Sequence, residues 1–245
     1  MIMQKYLEKA NVLIEALPYI RKFNSKIILI KYGGSAMENE ELKHCVMQDI
    51  ALLKLVGLKP IIVHGGGKDI SAMCERLGVK SEFKNGLRVS DKATTEVASM
   101  VLNHINKNLV HSLQNLGVKA IGLCGKDGAL LECVKKDENL AFVGTIQKVN
   151  SKILEELLEK DFLPIIAPIG MDEDFSDKNS LISKISLEQA KILAPKIEGG
   201  MHVKLKSCID ACENGVKKVH ILDGRVKHSL LLEFFTDEGI GTLVG

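Results

Sequence analysis

Two glycine clusters, each directly after an apolar run, are the parts of the sequence best suited to do chemistry. KYGGS occupies residues 31–35 and HGGGK occupies residues 64–68. Glycine lets backbone N–H groups come close to an anion and adopts positive φ without strain. Lys31 stands beside the first cluster, where a cation can neutralise charge on a phosphoryl group. The pattern predicts a site for a phosphate or a carboxylate.

Neither cluster matches a common nucleotide motif. The sequence contains no G-x-G-x-x-G and no G-x-x-x-x-G-K-[ST], so neither a dinucleotide-binding fold nor a P-loop is supported. Either cluster alone could be a structural turn. Their occurrence at two successive predicted strand ends favours binding.

The elements around these clusters alternate between β-branched runs and longer helical patterns, which predicts a parallel sheet covered by helices. We expect an α/β fold, a three-layer α/β/α sandwich with a mainly parallel central sheet. In such sheets, ligands bind beyond the carboxyl ends of the strands, where both glycine clusters would lie. Strands are predicted at 26–31, 60–64, 118–123 and 162–170, helices at 40–56, 67–77, 91–116 and 150–160, and a β-hairpin from 128–134 and 140–148.

The first residues differ from this alternation. Tyr6, Ala10, Leu13, Leu17 and Ile20 form a narrow apolar stripe at helical spacing. The stripe has two readings. The helix packs on its own domain, or it reaches a neighbouring subunit.

Composition narrows the classes of partner. Lys plus Arg number 33 and Asp plus Glu 31, and the net charge of +2 argues against nucleic acid and anionic membranes as partners. We see no signal peptide and no apolar run long enough to span a membrane. The six cysteines form no C-x-x-C pair, so we expect a cytoplasmic protein with reduced thiols.

Seven segments, in their order and spacing, resemble the acetylglutamate kinases of the amino acid kinase family. This resemblance covers nearly the whole chain. It implies an N-terminal oligomerisation helix at 1–25, an N-acetylglutamate-binding lobe at 26–170 and a nucleotide-binding lobe at 171–245. It also implies phosphoryl transfer from ATP to the γ-carboxylate of N-acetyl-L-glutamate, with Mg²⁺, in arginine synthesis. The segments are KYGGSAM, PIIVHGGGKDI, FKNGLRVSD, GLCGKDG, FLPIIAPIG, GGMHVK and HSLLLEFFTDEGIGT.

The same resemblance implies roles for individual residues. Lys31 and Lys204 match two catalytic lysines near the phosphates. Arg88 matches the arginine that pairs with the substrate α-carboxylate, which suits a planar guanidinium. Next to Lys204, the family usually has Ile-Pro where this chain has His202-Val203. No side chain is assigned as a metal ligand. The glycines are assigned as Gly66 and Gly67 to the substrate, and Gly33, Gly34, Gly65 and Gly200 to the phosphates or nucleotide.

One stretch that the resemblance leads us to expect is missing. After PIIAPIG the family continues with an Asn-x-Asn-Ala-Asp motif and a strand-plus-helix unit, whereas this chain runs from IGMDEDF (169–175) into SDKNSLISKI (176–185). A strand-helix-strand unit has roughly 30 residues or more. We therefore expect an incomplete C-terminal lobe, exposed apolar surface and unpaired sheet edges. Asp172, Glu173 and Asp174 could substitute for the lost acid, although an acidic loop is ordinarily solvated.

Regulation is a further implication. ANVLIEALPYIRKF (10–23) resembles a helix that interlaces dimers into hexamers in arginine-inhibited members of the family. Tyr19, Glu233 and Gly239 are candidate contacts of L-arginine, and a homo-oligomer, dimer or hexamer, is expected.

Two rival interpretations stay open at this point. The chain could be a catalytically impaired relative that binds arginine or forms oligomers without an ATP site. It could also be another kinase of the family that acts on glutamate, aspartate, carbamate or UMP. The NGLRVS motif and the C-terminal segment argue against the second of these interpretations.

Overall fold

The computed structural model describes residues 2–37, 39–84, 87–136, 140–170, 184–196, 200–236 and 240–244. The strands are β1 Ile27–Tyr32, β2 Lys59–His64, β3 Glu82–Lys84, β4 Leu87–Val89, β5 Ala120–Cys124, β6 Leu131–Lys135, β7 Gly144–Val149, β8 Leu163–Ala167, β9 Lys184–Ile185, β10 Val219–Ile221 and β11 Thr242–Val244. The α-helices are α1 Ile2–Phe23, α2 Glu40–Leu55, α3 Gly67–Arg76, α4 Lys92–Asn115, α5 Ser151–Glu159, α6 Leu187–Leu193, α7 Gly200–Glu213 and α8 Ser229–Phe235.

Four parallel strands form the central sheet in the order β1-β2-β8-β5. Each comes from a continuous apolar run, which is typical of strands that are buried on both faces. Tyr32 pairs with His64 in register, so β1 and β2 end at the same level of the sheet. The predicted parallel sheet is confirmed.

Helices cover both faces of this sheet. On one face, α2 and α4 pack over the strands, and Leu53, Leu113, Ile62 and Ile165 lie fully buried between them. On the other face, α5 covers a second cluster that includes Ile61, Ile166 and Leu158. The three-layer α/β/α arrangement is confirmed.

The helices α2 and α4 begin at side-chain caps. Asn39 accepts a hydrogen bond from the amide of Leu42, and Asp91 accepts one from the amide of Thr94. The latter bond holds the pKa of Asp91 below its usual value. Such caps satisfy amides that the first helical turn leaves unpaired.

Two hairpins extend from the sheet. The predicted one is formed by β6 and β7, which pair antiparallel. The other, β3 with β4, was not predicted, because each of its strands has only three residues. It leads directly into α4.

The C-terminal elements form a smaller unit. Its sheet has the order β10-β11-β9, with β10 antiparallel and β9 parallel to β11. Leu205 and Cys208 of α7 pack with Ala190 and Val244 in its core. Residues 171–183, where the sequence analysis locates the missing stretch, lie outside the described residues.

Strand β1 is an outer strand with an apolar face. Among the described residues it pairs only with β2. Its side chains Ile27 and Leu29 are 57% and 68% exposed. Loss of the missing stretch is expected to leave apolar surface exposed. That this loss explains the exposed side chains of β1 stays a prediction.

Helix α1 leaves most of its apolar stripe exposed. Tyr6, Leu13 and Leu17 are 62%, 71% and 51% exposed. Among the described residues, the end of α1 packs on the chain, where Tyr19 contacts Phe235 and the ring of Phe23 contacts Phe234. The reading that α1 packs along its own domain is therefore wrong for most of its length. Among the described helices, none combines the length and apolar content needed to cross a membrane.

A buried carboxylate anchors α8 to α2. Asp49 of α2 has no exposed surface, and the Nδ1–H of His228 donates to its Oδ1 over 2.6 Å. The backbone amides of Leu230 and Leu231 also face Asp49, which thus caps α8 from another helix. Burial raises the pKa of Asp49, although these partners oppose the shift.

Replacing this carboxylate should loosen the C-terminal helix. We expect Asp49→Ala to lower the free energy of unfolding by about 1–3 kcal/mol, because the α8 amides and His228 lose their acceptor. Asp210→Ala, at an exposed position of α7, should change it by less than about 0.5 kcal/mol. Urea unfolding of both variants measures the difference, and equal midpoints would refute the anchoring role.

Candidate functional site

The two glycine clusters lie side by side at the carboxyl edge of the sheet. The amide of Gly65 donates to the carbonyl of Tyr32 over 2.7 Å, which joins the second cluster to the end of β1. A Cβ added to Gly33 would lie 3.4 Å from the Gly65 nitrogen. The backbones therefore approach each other without intervening side chains, and together they form a surface suited to an anion.

Gly34, Gly66 and Gly67 differ in backbone conformation and in the space around the missing side chain. Gly34 has a φ of +65° at the start of a short 3₁₀ turn, Gly34–Met37, and a side chain there would meet nothing within 4 Å. A Cβ on Gly66 would lie 2.7 Å from Ile105 Cδ1 and 2.9 Å from Leu102 Cδ2. Gly67, the first residue of α3, has open space around its missing Cβ. Of these three glycines, only Gly66 would place a Cβ against neighbouring side chains, and the absence of that Cβ lets the start of α3 lie against α4.

Lys31 lies over the first glycine cluster. It is the last but one residue of β1, opposite Val63, and its side chain is on the surface. Its Nζ would be 3.7 Å from a Cβ built on Gly33. An ammonium group at this place can stabilise negative charge that develops beside the glycine amides.

Arg88 is held at the first turn of α3 by the hairpin of β3 and β4. Its Nη2 donates to the Gly67 carbonyl over 2.8 Å and to Ser71 Oγ over 2.7 Å, and its Nη1 donates to Ser81 Oγ over 2.7 Å. The ring of Phe83 lies 4.6 Å from the guanidinium carbon. Burial lowers the pKa of Arg88, which remains charged because a guanidinium starts far above neutrality. The cation thus lies next to the second glycine cluster.

Three of the residues that hold Arg88 were not predicted from the sequence. Ser71, Ser81 and Phe83 each touch its guanidinium, but none stands out in the sequence. The Asn-Gly pair at 85–86, which lies outside the described residues, is a hairpin signal and could have revealed β3 and β4.

His64 and Asn106 form a buried polar pair behind the second glycine cluster, and this pair was also missed. His64 is 1% exposed, and burial lowers the pKa of its ring, so the ring is neutral at pH 7. Asn106 of α4 has no exposed surface and lies within hydrogen-bond distance of His64.

The C-terminal candidates are placed only in part. Gly200 is the first residue of α7 and Lys204 lies in the second turn, and the side chain of Lys204 is outside the described part of the chain. Its approach to Lys31 therefore stays a prediction. The C-terminal unit does reach the first cluster elsewhere, since a Cβ on Gly224 would lie 2.5 Å from that of Ala36.

The candidate effector residues lie around α8. The Tyr19 ring meets that of Phe235 at a centroid distance of 6.5 Å. Glu233 is nearly buried and accepts the amides of Ile240 and Gly241 over 2.8 Å each, and His220 also contacts it. Burial alone would raise the pKa of Glu233, but these hydrogen bonds outweigh burial and keep the pKa below its usual value. Gly239 lies outside the described residues.

Within the described ranges, no group of three or more His, Cys, Asp or Glu side chains is arranged to hold a metal ion. Mg²⁺ in phosphoryl-transfer sites keeps several waters and is bound largely by substrate phosphates. The open backbone surface beside Gly34 fits the phosphates that would carry such an ion.

A profile of the amino acid kinase family matches residues 26–177. An acetylglutamate kinase from Campylobacter jejuni subsp. jejuni is 86% identical over 279 aligned positions, which cover 99% of this chain and all of that protein. An acetylglutamate kinase from Thermoanaerobacter pseudethanolicus is 48% identical, and the alignment covers 99% of this chain and 96% of that protein. Because the chain has 245 residues, at least 34 positions of the Campylobacter alignment have no residue of this chain opposite them.

Solved structures with low sequence identity share the fold. An N-acetylglutamate synthase from Neisseria gonorrhoeae, in complex with coenzyme A and N-acetyl-glutamate, has a TM-score of 0.82 at 22% identity. The match covers 96% of this chain and 63% of that one, so the chain spans less than two thirds of the synthase. A carbamate kinase from Giardia lamblia bound to AMP-PNP has a TM-score of 0.65 at 14% identity, with 90% of this chain and 98% of that chain covered.

The two neighbouring glycines of the second cluster should respond differently to a methyl group. We expect Gly66→Ala to lower the free energy of unfolding by about 1–3 kcal/mol, because its Cβ would overlap Ile105 and Leu102. Gly67→Ala should keep or slightly raise stability, since it enters a first helical turn with open space. Parallel urea unfolding tests the pair, and equal losses would contradict the packing role of Gly66.

Proposed function

The chain belongs to the amino acid kinase family, and on that premise we propose that it transfers the γ-phosphate of ATP to the γ-carboxylate of N-acetyl-L-glutamate. The product is N-acetyl-L-glutamyl 5-phosphate, formed in the second step of arginine synthesis. The observation that carries the proposal is the 86% identity to an acetylglutamate kinase over nearly the whole chain. The name shared by relatives at 86% and 48% identity favours this acceptor over carbamate, aspartate or UMP.

The acceptor would lie between the second glycine cluster and the hairpin. Arg88 supplies a guanidinium that can pair with the α-carboxylate through two parallel hydrogen bonds when its Nη2 exchanges the bond to Ser71 Oγ for one of them. Its contact with the Gly67 carbonyl brings this cation to the start of α3, beside the Gly66 and Gly67 amides. The amides and the cation together fit a small dicarboxylate.

The phosphates of ATP would lie over the first cluster, at Gly33, Gly34 and Gly65. A carboxylate oxygen forms a bond to the γ-phosphorus as the bond to the leaving ADP oxygen breaks, and no proton needs to move. The barrier is the meeting of two anions, so we assign charge neutralisation to Lys31 and Lys204. Mg²⁺, when bound to the phosphates, adds positive charge there. Gly200 would bring the start of α7 to the nucleotide.

A second candidate function is that of a relative with a weakened ATP site. At least 34 aligned positions of the Campylobacter protein lack a counterpart, and the family match stops at residue 177, close to the predicted gap. The exposed Ile27 and Leu29 on the outer strand favour the loss of an element that once covered β1. In this case the substrate lobe, residues 26–170, would persist with a shortened nucleotide lobe from residue 171.

We further propose a cytoplasmic homo-oligomer, a dimer or a hexamer, with α1 as the contact between subunits. The exposed stripe on α1 is the support, since apolar surface of this kind marks an interaction site. L-Arginine is the proposed effector, bound near Tyr19, Glu233 and Gly239. Glu233 already accepts two backbone amides, so the arginine would have to share or displace these partners.

A hydroxamate assay for acyl phosphate tests the enzymatic proposal. With ATP, Mg²⁺ and N-acetyl-L-glutamate, we expect the chain to form product and Lys31→Ala to lower kcat roughly 10²- to 10³-fold through lost charge stabilisation. Arg88→Lys should raise the KM for N-acetyl-L-glutamate about 10- to 100-fold, since lysine cannot form the paired bonds.

The Campylobacter relative serves as the positive control in the same assay. Comparable product from the chain would exclude the impaired function. A folded chain that forms no product, beside an active relative, would reject the kinase proposal and favour the second candidate.

A charge on the α1 stripe tests the oligomer. We expect Leu13→Glu to reduce the mass measured by gel filtration with light scattering at micromolar concentration, because a buried carboxylate would be unpaired at the contact. Gln4→Glu introduces the same residue on the opposite face of α1 and should leave the mass unchanged. A wild-type chain that is already a monomer would contradict the proposal.

A further inference from the structure

The pair of His64 and Asn106 has no part in the chemistry proposed above, yet it lies directly behind the second glycine cluster. Both side chains are buried, one at the end of β2 and the other in the middle of α4. Buried polar groups cost free energy unless they are hydrogen bonded. Within the described residues, both ring nitrogens of His64 and Nδ2 of Asn106 have partners, whereas Oδ1 of Asn106 has none.

The orientation of the Asn106 amide follows from its backbone partners. Its Nδ2 lies 2.9 Å from the carbonyl oxygen of Ile165 and 3.2 Å from that of Leu123. Carbonyl oxygens only accept hydrogen bonds, so the amide nitrogen must face them. The same nitrogen lies 3.2 Å from Nε2 of His64. An amide nitrogen has two hydrogens and accepts none, so one hydrogen is shared between a backbone carbonyl and this ring nitrogen, and a proton on Nε2 would face those hydrogens.

The proton of the neutral His64 ring is consequently on Nδ1. Nδ1 lies 3.0 Å from the carbonyl oxygen of Gly65 and donates to it. In a trans peptide, a carbonyl and the N–H of the next residue point in opposite directions. A Gly65 carbonyl bound to His64 thus turns the Gly66 N–H away from the imidazole.

Glycine at position 122 gives this network its space. A Cβ there would lie 1.9 Å from Asn106 Oδ1 and 3.0 Å from Val110 Cγ2. The absent side chain lets Asn106 lie across β5 and reach the three strands β2, β5 and β8 at once. The network thus links the second glycine cluster to the interior of the sheet.

We propose that His64 is a positioning residue for the acceptor substrate, and that Asn106 selects the ring tautomer that orients the Gly66 amide. The inference rests on the proposed binding of N-acetyl-L-glutamate at Gly66 and Gly67. Neither side chain touches the substrate. Both act through the Gly65–Gly66 peptide.

The tautomer can be measured without substrate. In the full chain labelled with ¹⁵N-histidine, long-range proton–nitrogen correlations should assign a neutral ring protonated on Nδ1 to His64 at pH 7. His64→Asn identifies the resonance by its loss. A ring protonated on Nε2, or on both nitrogens, would overturn the inference.

Two substitutions separate positioning from folding. Asparagine at 64 can place a donor near the position of Nδ1, whereas glutamine reaches the position of Nε2. By calorimetry, we expect His64→Gln to weaken N-acetyl-L-glutamate binding about tenfold, the effect of one lost hydrogen bond, with AMP-PNP binding unchanged. His64→Asn should restore most of the affinity.

The same helix offers a matched control. His104 accepts from Asn108 Nδ2 over 3.1 Å in the same type of pair, but on the surface. His104→Gln should bind N-acetyl-L-glutamate as the wild type does. Gly122→Ala should reproduce the loss seen in His64→Gln, because it displaces Asn106.

The outcomes distinguish this inference from the proposed function. A wild-type chain that does not bind N-acetyl-L-glutamate rejects the proposed function, and the positioning role with it. A wild type that binds, with a His64→Gln variant that binds equally well, rejects the positioning role alone. Equal losses for N-acetyl-L-glutamate and AMP-PNP indicate general loosening of the fold and also overturn it.

Discussion

The close approach of two backbones, Gly33 beside Gly65, is the constraint on which the rest of the site depends. With the Gly65 amide bound to the Tyr32 carbonyl, a Cβ on Gly33 would be only 3.4 Å from the Gly65 nitrogen. This geometry requires β1 and β2 to be neighbours, parallel and of equal reach, as their pairing from Ile27–Lys59 to Tyr32–His64 makes them. It brings the first glycine cluster, proposed for the phosphates, next to the second glycine cluster, proposed for the acceptor, at one edge of the sheet.

Much of this arrangement could be read from the sequence. The four central strands were predicted because continuous apolar runs bounded by glycine or proline are typical of buried parallel strands. Adjacency of the clusters followed from the βαβ pattern, since ligands collect at the carboxyl edge of such a sheet. The long helices were found because their helical patterns extend over many turns.

What could not be read depends on contacts between distant residues. Ser71 and Ser81 hold Arg88 only because a three-residue strand pair folds back onto α3, and such short strands have too few positions to give a period. The lack of space for a side chain at Gly66 comes from Ile105, which is 39 positions away in the sequence. His64 and Asn106 look like ordinary members of a strand and a helix until the sheet order brings them together. The stripe on α1 was ambiguous, because an apolar face has the same pattern whether its partner is the same chain or another.

The central sheet and the C-terminal unit differ in the packing that stabilises them. The central sheet has helices on both faces and a continuous core, whereas the C-terminal unit has its own small core, joined to the rest through Asp49 and through Gly224 against Ala36. A shortened nucleotide lobe could therefore coexist with an intact acceptor site. The acceptor half is the part of the site that the described residues form most completely.

The most direct test of that account is calorimetric titration of the chain with N-acetyl-L-glutamate in the absence of nucleotide, beside the Campylobacter relative. The account predicts one site per chain, with an affinity within about threefold of the relative, a difference of less than about 0.7 kcal/mol. A folded chain that gives no binding heat, under conditions in which the relative binds, would contradict it.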